Sequence, residues 1–151
     1  MTRSVVDAMF RITREPISVL QAMGAVSGPD RGAVATFCGV VRDHHRGRPV
    51  RSLEYHAYAP MAERMFAEIA AEAALRRPGT RIAVIHRVGA LQIGDLSVVV
   101  AAGSAHRADA LAGCAFVIDA IKARAPIWKK EFLEDGAVWL EGPDGCGPAA
   151  V

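Results

Sequence analysis

Two long stretches of this chain repeat their apolar residues at helical spacing, and the segments between them alternate or run apolar in the manner of strands. "PMAERMFAEIAAEAALRR", residues 60–77, is the clearest amphipathic helix: Pro60 suits a first turn and Pro78-Gly79 stops it. "AHRADALAGCAFVIDAIKARA" (105–125) is the second, with Ser104 as its expected N-cap, and "SVLQAMGAVS" (18–27) is a short helix capped by Ser18. "FRITREPIS" (10–18) reads as a first strand cut by Pro16. The β-branched, apolar "AVATFCGVV" (33–41) predicts a buried strand, and the alternation of "SLEYHAYA" (52–59) predicts another. "RIAVIHRVGAL" (81–91) and "LSVVVAAGS" (96–104) are expected as strands joined by "QIGD". "IWKKEFLEDGAVWLE" (127–141) is expected as a hairpin turning at Asp135-Gly136. "RDHHRGRPVR" (42–51) reads as a solvated, mobile loop. Strands and helices mix without strict alternation, which predicts one α+β domain over residues 1–141 with a largely antiparallel sheet. The Gly/Pro-rich residues 142–151 read as a flexible tail.

Composition narrows this picture more than it redirects it. At 151 residues, 52% hydrophobic and 23% charged, the chain has room for a real core and the balance of a soluble globular protein. No apolar run approaches the roughly 20 residues of a membrane helix, and the opening "MTRSVVDAMFRITREP" lacks a signal-peptide core. Cys38, Cys114 and Cys146 form neither a disulfide framework nor a zinc motif, so a cytoplasmic setting is expected. A net charge of +2 with few aromatics argues against nucleic acid, so any anion site must come from local clustering.

Lys122 breaks the pattern of its helix. At 100° per residue Leu111, Ala115 and Ile118 share a face, and Lys122 returns to within about 20° of Leu111. This places Lys122 on the expected core side of the last turn. Pro126 then blocks the helix and pushes Ala125 toward extended geometry, so the chain reverses into a strand carrying Lys129 and Lys130. A lone lysine there ordinarily lays its stem on the core and its ammonium in water beside the helix C-terminus. Two ammonium groups at one pocket rim can instead bind an anion and exchange protons with it.

At the other end of that helix, His106 and Arg107 oppose the helix dipole at a cost of roughly 0.3–1 kcal/mol each, which a bound anion would reverse. The plain alternative pairs Arg107 with an acid near Asp109. Arg42, Arg46, Arg48 and Arg51 surround His44 and His45, but neither these histidines nor His56 and His86 have metal-ligand spacing. Phosphate-loop, dinucleotide and GxSxG motifs are lacking. Cys38 and Cys114 lie in apolar stretches, where burial makes a thiol less reactive, which disfavours a cysteine-based transferase.

"FCGVVRDH", "VIHRVGALQIGD", "SAHRADA" and "IKARAPIWKKE", in this order, closely resemble the catalytic (large) subunit of molybdopterin synthase over about residues 10 to 141. The resemblance implies an α/β hammerhead fold and a homodimer within a 2:2 heterotetramer. The other partner would be a ubiquitin-like small subunit whose C-terminal Gly-Gly carries a thiocarboxylate. The implied reaction transfers sulfur to cyclic pyranopterin monophosphate to form molybdopterin, with no cofactor and no metal. It implies Lys122 and Lys129 as catalytic residues. It implies a substrate site of Val40, Val41, Arg42, His106, Arg107, Lys122, Lys129, Lys130 and Glu131. Relatives often carry a lysine where this chain has Val40, so contact there would be through backbone; Gly142 and Pro143 stand where some relatives have a basic residue. The rival is a non-catalytic, dimeric partner-binding protein of the same fold, against which the intact Lys122, Lys129 and His106 argue.

Overall fold

The computed structural model describes residues 9–134 and 136–140. The tail with Gly142, Pro143 and Cys146, and the expected turn residue Asp135, lie outside the described residues. The first sheet orders its strands β1 (Phe10–Thr13), β6 (Arg81–Arg87), β8 (Leu96–Ser104) and β2 (Ala33–Val40). Only the β1–β6 pair in it is parallel. The second sheet is antiparallel throughout, in the order β10 (Gly136–Leu140), β9 (Ile127–Leu133), β5 (Ser52–Ala57) and β7 (Gly89–Gln92). A hairpin of β3 (His44–His45) and β4 (Arg48–Pro49) stands apart. The helices are α1 (Val19–Val26), α2 (Ala59–Arg76) and α3 (Arg107–Arg124). The class is therefore α+β and largely antiparallel, as the sequence predicts.

Strand alternation divides the core in two. Ala83, Ile85, Val99 and Ala101 turn one face of the first sheet to Ala22 and Val26 of α1. Ile82, Val84, Val98, Val100 and Ala102 turn the other face to α2, α3 and the inner side of the second sheet, where Leu53, Tyr55, Leu91 and Ile127 lie. Contact with α1 depends on Gly103, where a Cβ would overlap the carbonyl of Val26. Ser18 caps α1 as expected, its Oγ accepting from the Gln21 N–H at 3.1 Å.

Several expectations are corrected. Residues 81–91 are two strands in different sheets. The break comes at Val88 and Gly89, whose φ of +93° only glycine adopts freely, and it carries the chain from one sheet to the other. The first strand stops at Thr13. The 33–41 strand is not buried: it is the sheet edge, with Thr36, Phe37 and Cys38 exposed. Ser104 does not cap α3, because β8 runs on through it and buries its hydroxyl 3.3 Å from that of Thr80; His106 takes the N-cap position. The 42–51 segment is exposed at most positions, as expected, but is a folded hairpin rather than a loop. It turns at Arg46 and Gly47, both at positive φ (53° and 78°), as a two-residue turn of the I′ kind requires.

The core face of α3 is also rotated from the expected one. Leu111 is 62% exposed, and the buried stripe is Ala110, Gly113, Cys114, Val117, Ala120 and Ile121. Small side chains win this face because they let the helix lie close on the sheet. A Cβ on Gly113 would stand 3.1 Å from Thr80 Cγ2.

Candidate active site

Lys122 is exposed rather than on the core side that its spacing predicts: it lies one position past the buried stripe, in the last turn of α3, and reaches the core edge from the side. Its side chain lines a small cavity of about 30 Å³ with Tyr55, His86, Val98, Ile118, Ile121, Ala125 and Ile127. Tyr55 is the direct cross-strand partner of Lys129 in the β5–β9 ladder, so the two side chains rise from the same face about 5 Å apart at their Cβ atoms. Lys122 and Lys129 thus converge on one buried tyrosine, from a helix end and from the strand that follows it. Pro126 and Ala125, both buried, form the corner between them. The Tyr55 ring packs edge-on against His86, centroids 4.8 Å apart, and His86 Nδ1–H donates to the Arg87 carbonyl at 2.9 Å. A larger cleft of about 290 Å³, lined by Arg14, Tyr58 and Trp128 among others, also reaches Tyr55.

Arg42 belongs to the same end of the molecule. β2 and α3 both run antiparallel to β8, so the end of β2, the start of β8 and the last turn of α3 coincide, with Val40 opposite Leu96 and Lys122 beside Val98. Val41 is buried with its backbone committed: its N–H donates to the Asp95 carbonyl at 3.0 Å and its carbonyl accepts from Gly94 at 2.9 Å. It anchors the segment, leaving half-exposed Val40 and exposed Arg42 at the surface. His106 and Arg107 are not part of this cluster. They sit at the N-terminal end of α3, about 22 Å from Lys122 at 1.5 Å per residue. Asp109 pairs with Arg77 at 3.0 Å and not with Arg107.

Along β9 the expected run of site residues splits by strand parity. Lys129 and Glu131 face inward; their side chains are 12% and 7% exposed and their charged atoms stand 3.7 Å apart. Lys130 faces the other way, its ammonium over the rings of Phe132 (5.4 Å) and Trp139 (5.3 Å). Glu131 also meets His45, whose Nδ1 is 3.1 Å from Oε1 and 3.0 Å from Oε2. Next to it, the hydrogen bond from His44 holds the Asp43 carboxyl below the usual carboxylate range. Cys114 is buried and burial pushes its thiol up to about 11, whereas Cys38 is exposed, contrary to its apolar surroundings in sequence. No cluster of metal-ligating side chains occurs among the described residues.

The sequence by itself does not mark Tyr55, His86 or His45 as site residues. Inward alternation of Leu53 and Tyr55 is a signal for the first. His45 carries no such signal, because its partner is 86 positions away.

The family model described as "MoaE protein" matches residues 12–124. The molybdopterin synthase catalytic subunit of Staphylococcus carnosus is 45% identical over 142 residues, covering 94% of this chain and 95% of that protein. The crystal structure of molybdopterin synthase from Staphylococcus aureus superposes with a TM-score of 0.84 at 43% identity, covering 86% of this chain and 95% of that one. A complex of subunits 1 and 2 of molybdopterin-converting factor from Helicobacter pylori shares the fold, with a TM-score of 0.70 at 21% identity over 85% of this chain and 88% of that one.

Proposed function

This chain belongs to the MoaE protein family, and from that premise we propose that it is the catalytic subunit of a molybdopterin synthase, transferring sulfur from a thiocarboxylated small subunit to cyclic pyranopterin monophosphate. The observation that carries this reading is the convergence of Lys122 and Lys129 on Tyr55 at the end of the fold that also presents Arg42. Both reactants are anions, one a thiocarboxylate and one a phosphate ester, and a cationic, partly buried site suits both. The two lysines would stabilise the oxyanions formed as the thiocarboxylate sulfur attacks and as water hydrolyses the resulting thioester, and would move the accompanying protons. Arg42 would hold the phosphate. Lys130 faces away from this pocket, and Glu131 serves as a buried counter-charge more than as a substrate ligand.

A cavity of about 30 Å³ holds a water, not a pterin, so the substrate would lie over the lysines rather than within the cavity. His106 and Arg107, too distant within one chain, would join the site from a second copy in a homodimer. The partner would be a ubiquitin-like subunit with a Gly-Gly tail, in a 2:2 assembly. The described residues include no helix long and apolar enough to cross a membrane.

The test is to combine the chain with the thiocarboxylated small subunit and cyclic pyranopterin monophosphate and look for the dithiolene product. Lys122→Ala and Lys129→Ala should each lower turnover by about 10²–10³ while the melting curve shows a folded protein. Normal transfer by both variants would overturn the assignment.

A further inference from the structure

Glu131 is 5% exposed, yet two basic groups from different parts of the chain meet at its carboxylate. Lys129 lies two residues before it on the same face of β9; His45 arrives from the β3–β4 hairpin. We propose that His45 is a positioning residue for sulfur transfer: by holding Glu131 it sets the place of the Lys129 ammonium. The proposal rests on the reading of Lys129 as a site lysine.

The distances carry the argument. A carboxylate accepts, so the His45 nitrogen lying 3.0–3.1 Å from both oxygens is the donor, and its single N–H is shared between them. Lys129 Nζ stands 3.7 Å from the nearer oxygen, longer than the roughly 2.7–2.9 Å of a direct charge-assisted hydrogen bond. A carboxylate this deeply buried must find donors. With His45 removed, Lys129, already 3.7 Å away on the same strand face, is a cation it can close upon. The ammonium would then be drawn along β9 toward Glu131 and away from its place across from Tyr55.

His45 is fit to prevent this because its own position is stiff. The hairpin is closed at its base by the Val50 N–H donating to the Asp43 carbonyl at 2.8 Å and at its tip by the Arg46-Gly47 turn. His45 pairs with Arg48 in that ladder, so the ring is delivered by a strand and not by a wandering loop.

Reconstituted sulfur transfer decides the matter. His45→Ala should lower kcat on the order of tenfold, with KM for the pyranopterin and for the small subunit within about twofold of wild type. His45→Asn, whose amide nitrogen can occupy the place of Nδ1, should recover most of the loss. In a Glu131→Ala background His45→Ala should have no further effect, because its action runs through that carboxylate. Wild-type kcat in a folded His45→Ala variant, a loss confined to KM, failure of the asparagine to rescue, or an undiminished effect without Glu131 would each overturn the proposal. Lys129→Ala, assayed alongside, separates the two failures: an active Lys129→Ala variant defeats the site reading itself, whereas an inactive one with a silent His45→Ala defeats only the positioning role.

Discussion

The thiol of Cys114 lies under the sheet with its S–H donating to the Val100 carbonyl at 3.6 Å, and burial drives its pKa up to about 11. At pH 8 the thiolate fraction is then about 10⁻³, too small for a nucleophile or a sulfur carrier. Cys38 is accessible but stands on the outer strand without a basic neighbour assigned to the site. Replacing either by alanine should leave sulfur transfer within about twofold, with Cys114→Ala less stable by about 1–2 kcal/mol. In a Cys146→Ala background, an aromatic disulfide reagent should label Cys38 at once and Cys114 only on unfolding. Total loss of transfer by a folded cysteine variant would instead demand a cysteine relay. Lys122 shows what single residues do and do not disclose. A lysine interrupting an apolar helix, four residues before a proline, marks a pocket rim, and that much is legible. The face it shares is not, because leucine outweighs glycine in any hydropathy pattern while Gly113 and Ala110 are what the sheet can approach.

Elements place these residues, and α3 does most of the placing. Its last turn is clamped to α2 by Arg124, whose two nitrogens reach the two oxygens of Glu72 at 3.0 and 2.7 Å. The hydrogen bond from Arg124 holds the Glu72 carboxyl below its ordinary range. A depressed folded-state pKa contributes stability above the unfolded pKa and loses it as pH falls through the folded one. The clamp therefore acts fully at neutral pH and weakens only in acid, below the ordinary glutamate range of about 4.3. Glu72→Gln should melt lower than wild type near pH 7, by a modest margin since the pair is partly solvated, and the gap should close as the pH approaches 3. A gap that widens in acid would contradict this. Elements with strong local signals, such as the helix of residues 60–77 and the strand of residues 96–104, are legible from sequence to within a residue or so. The sheet change at Gly89 and the contact of His45 with Glu131 are not, since each depends on a partner distant in the chain.

At the scale of the whole molecule, the distribution of charge along α3 sets the sharpest test. Lys122 and Arg42 occupy one end of the fold, and His106 and Arg107 the other, about 22 Å away along a rigid helix. No side-chain rotation closes that distance. If all of them serve one substrate, two copies must pair so that the α3 N-terminus of each approaches the lysines of the other. A two-fold axis does this for both sites at once, because an isologous contact presents the same patches reciprocally. The arrangement predicts complementation. Lys122→Ala should be inactive, as should the double variant His106→Ala, Arg107→Ala. Mixed dimers of the two hold one site that lacks both parts and one that lacks neither. With random exchange of subunits, half the dimers are mixed and half their sites are whole, so roughly a quarter of the wild-type turnover per chain should return. Sites built within a single chain would regain nothing on mixing, and that outcome would dismiss the shared site while leaving the lysine pocket in place.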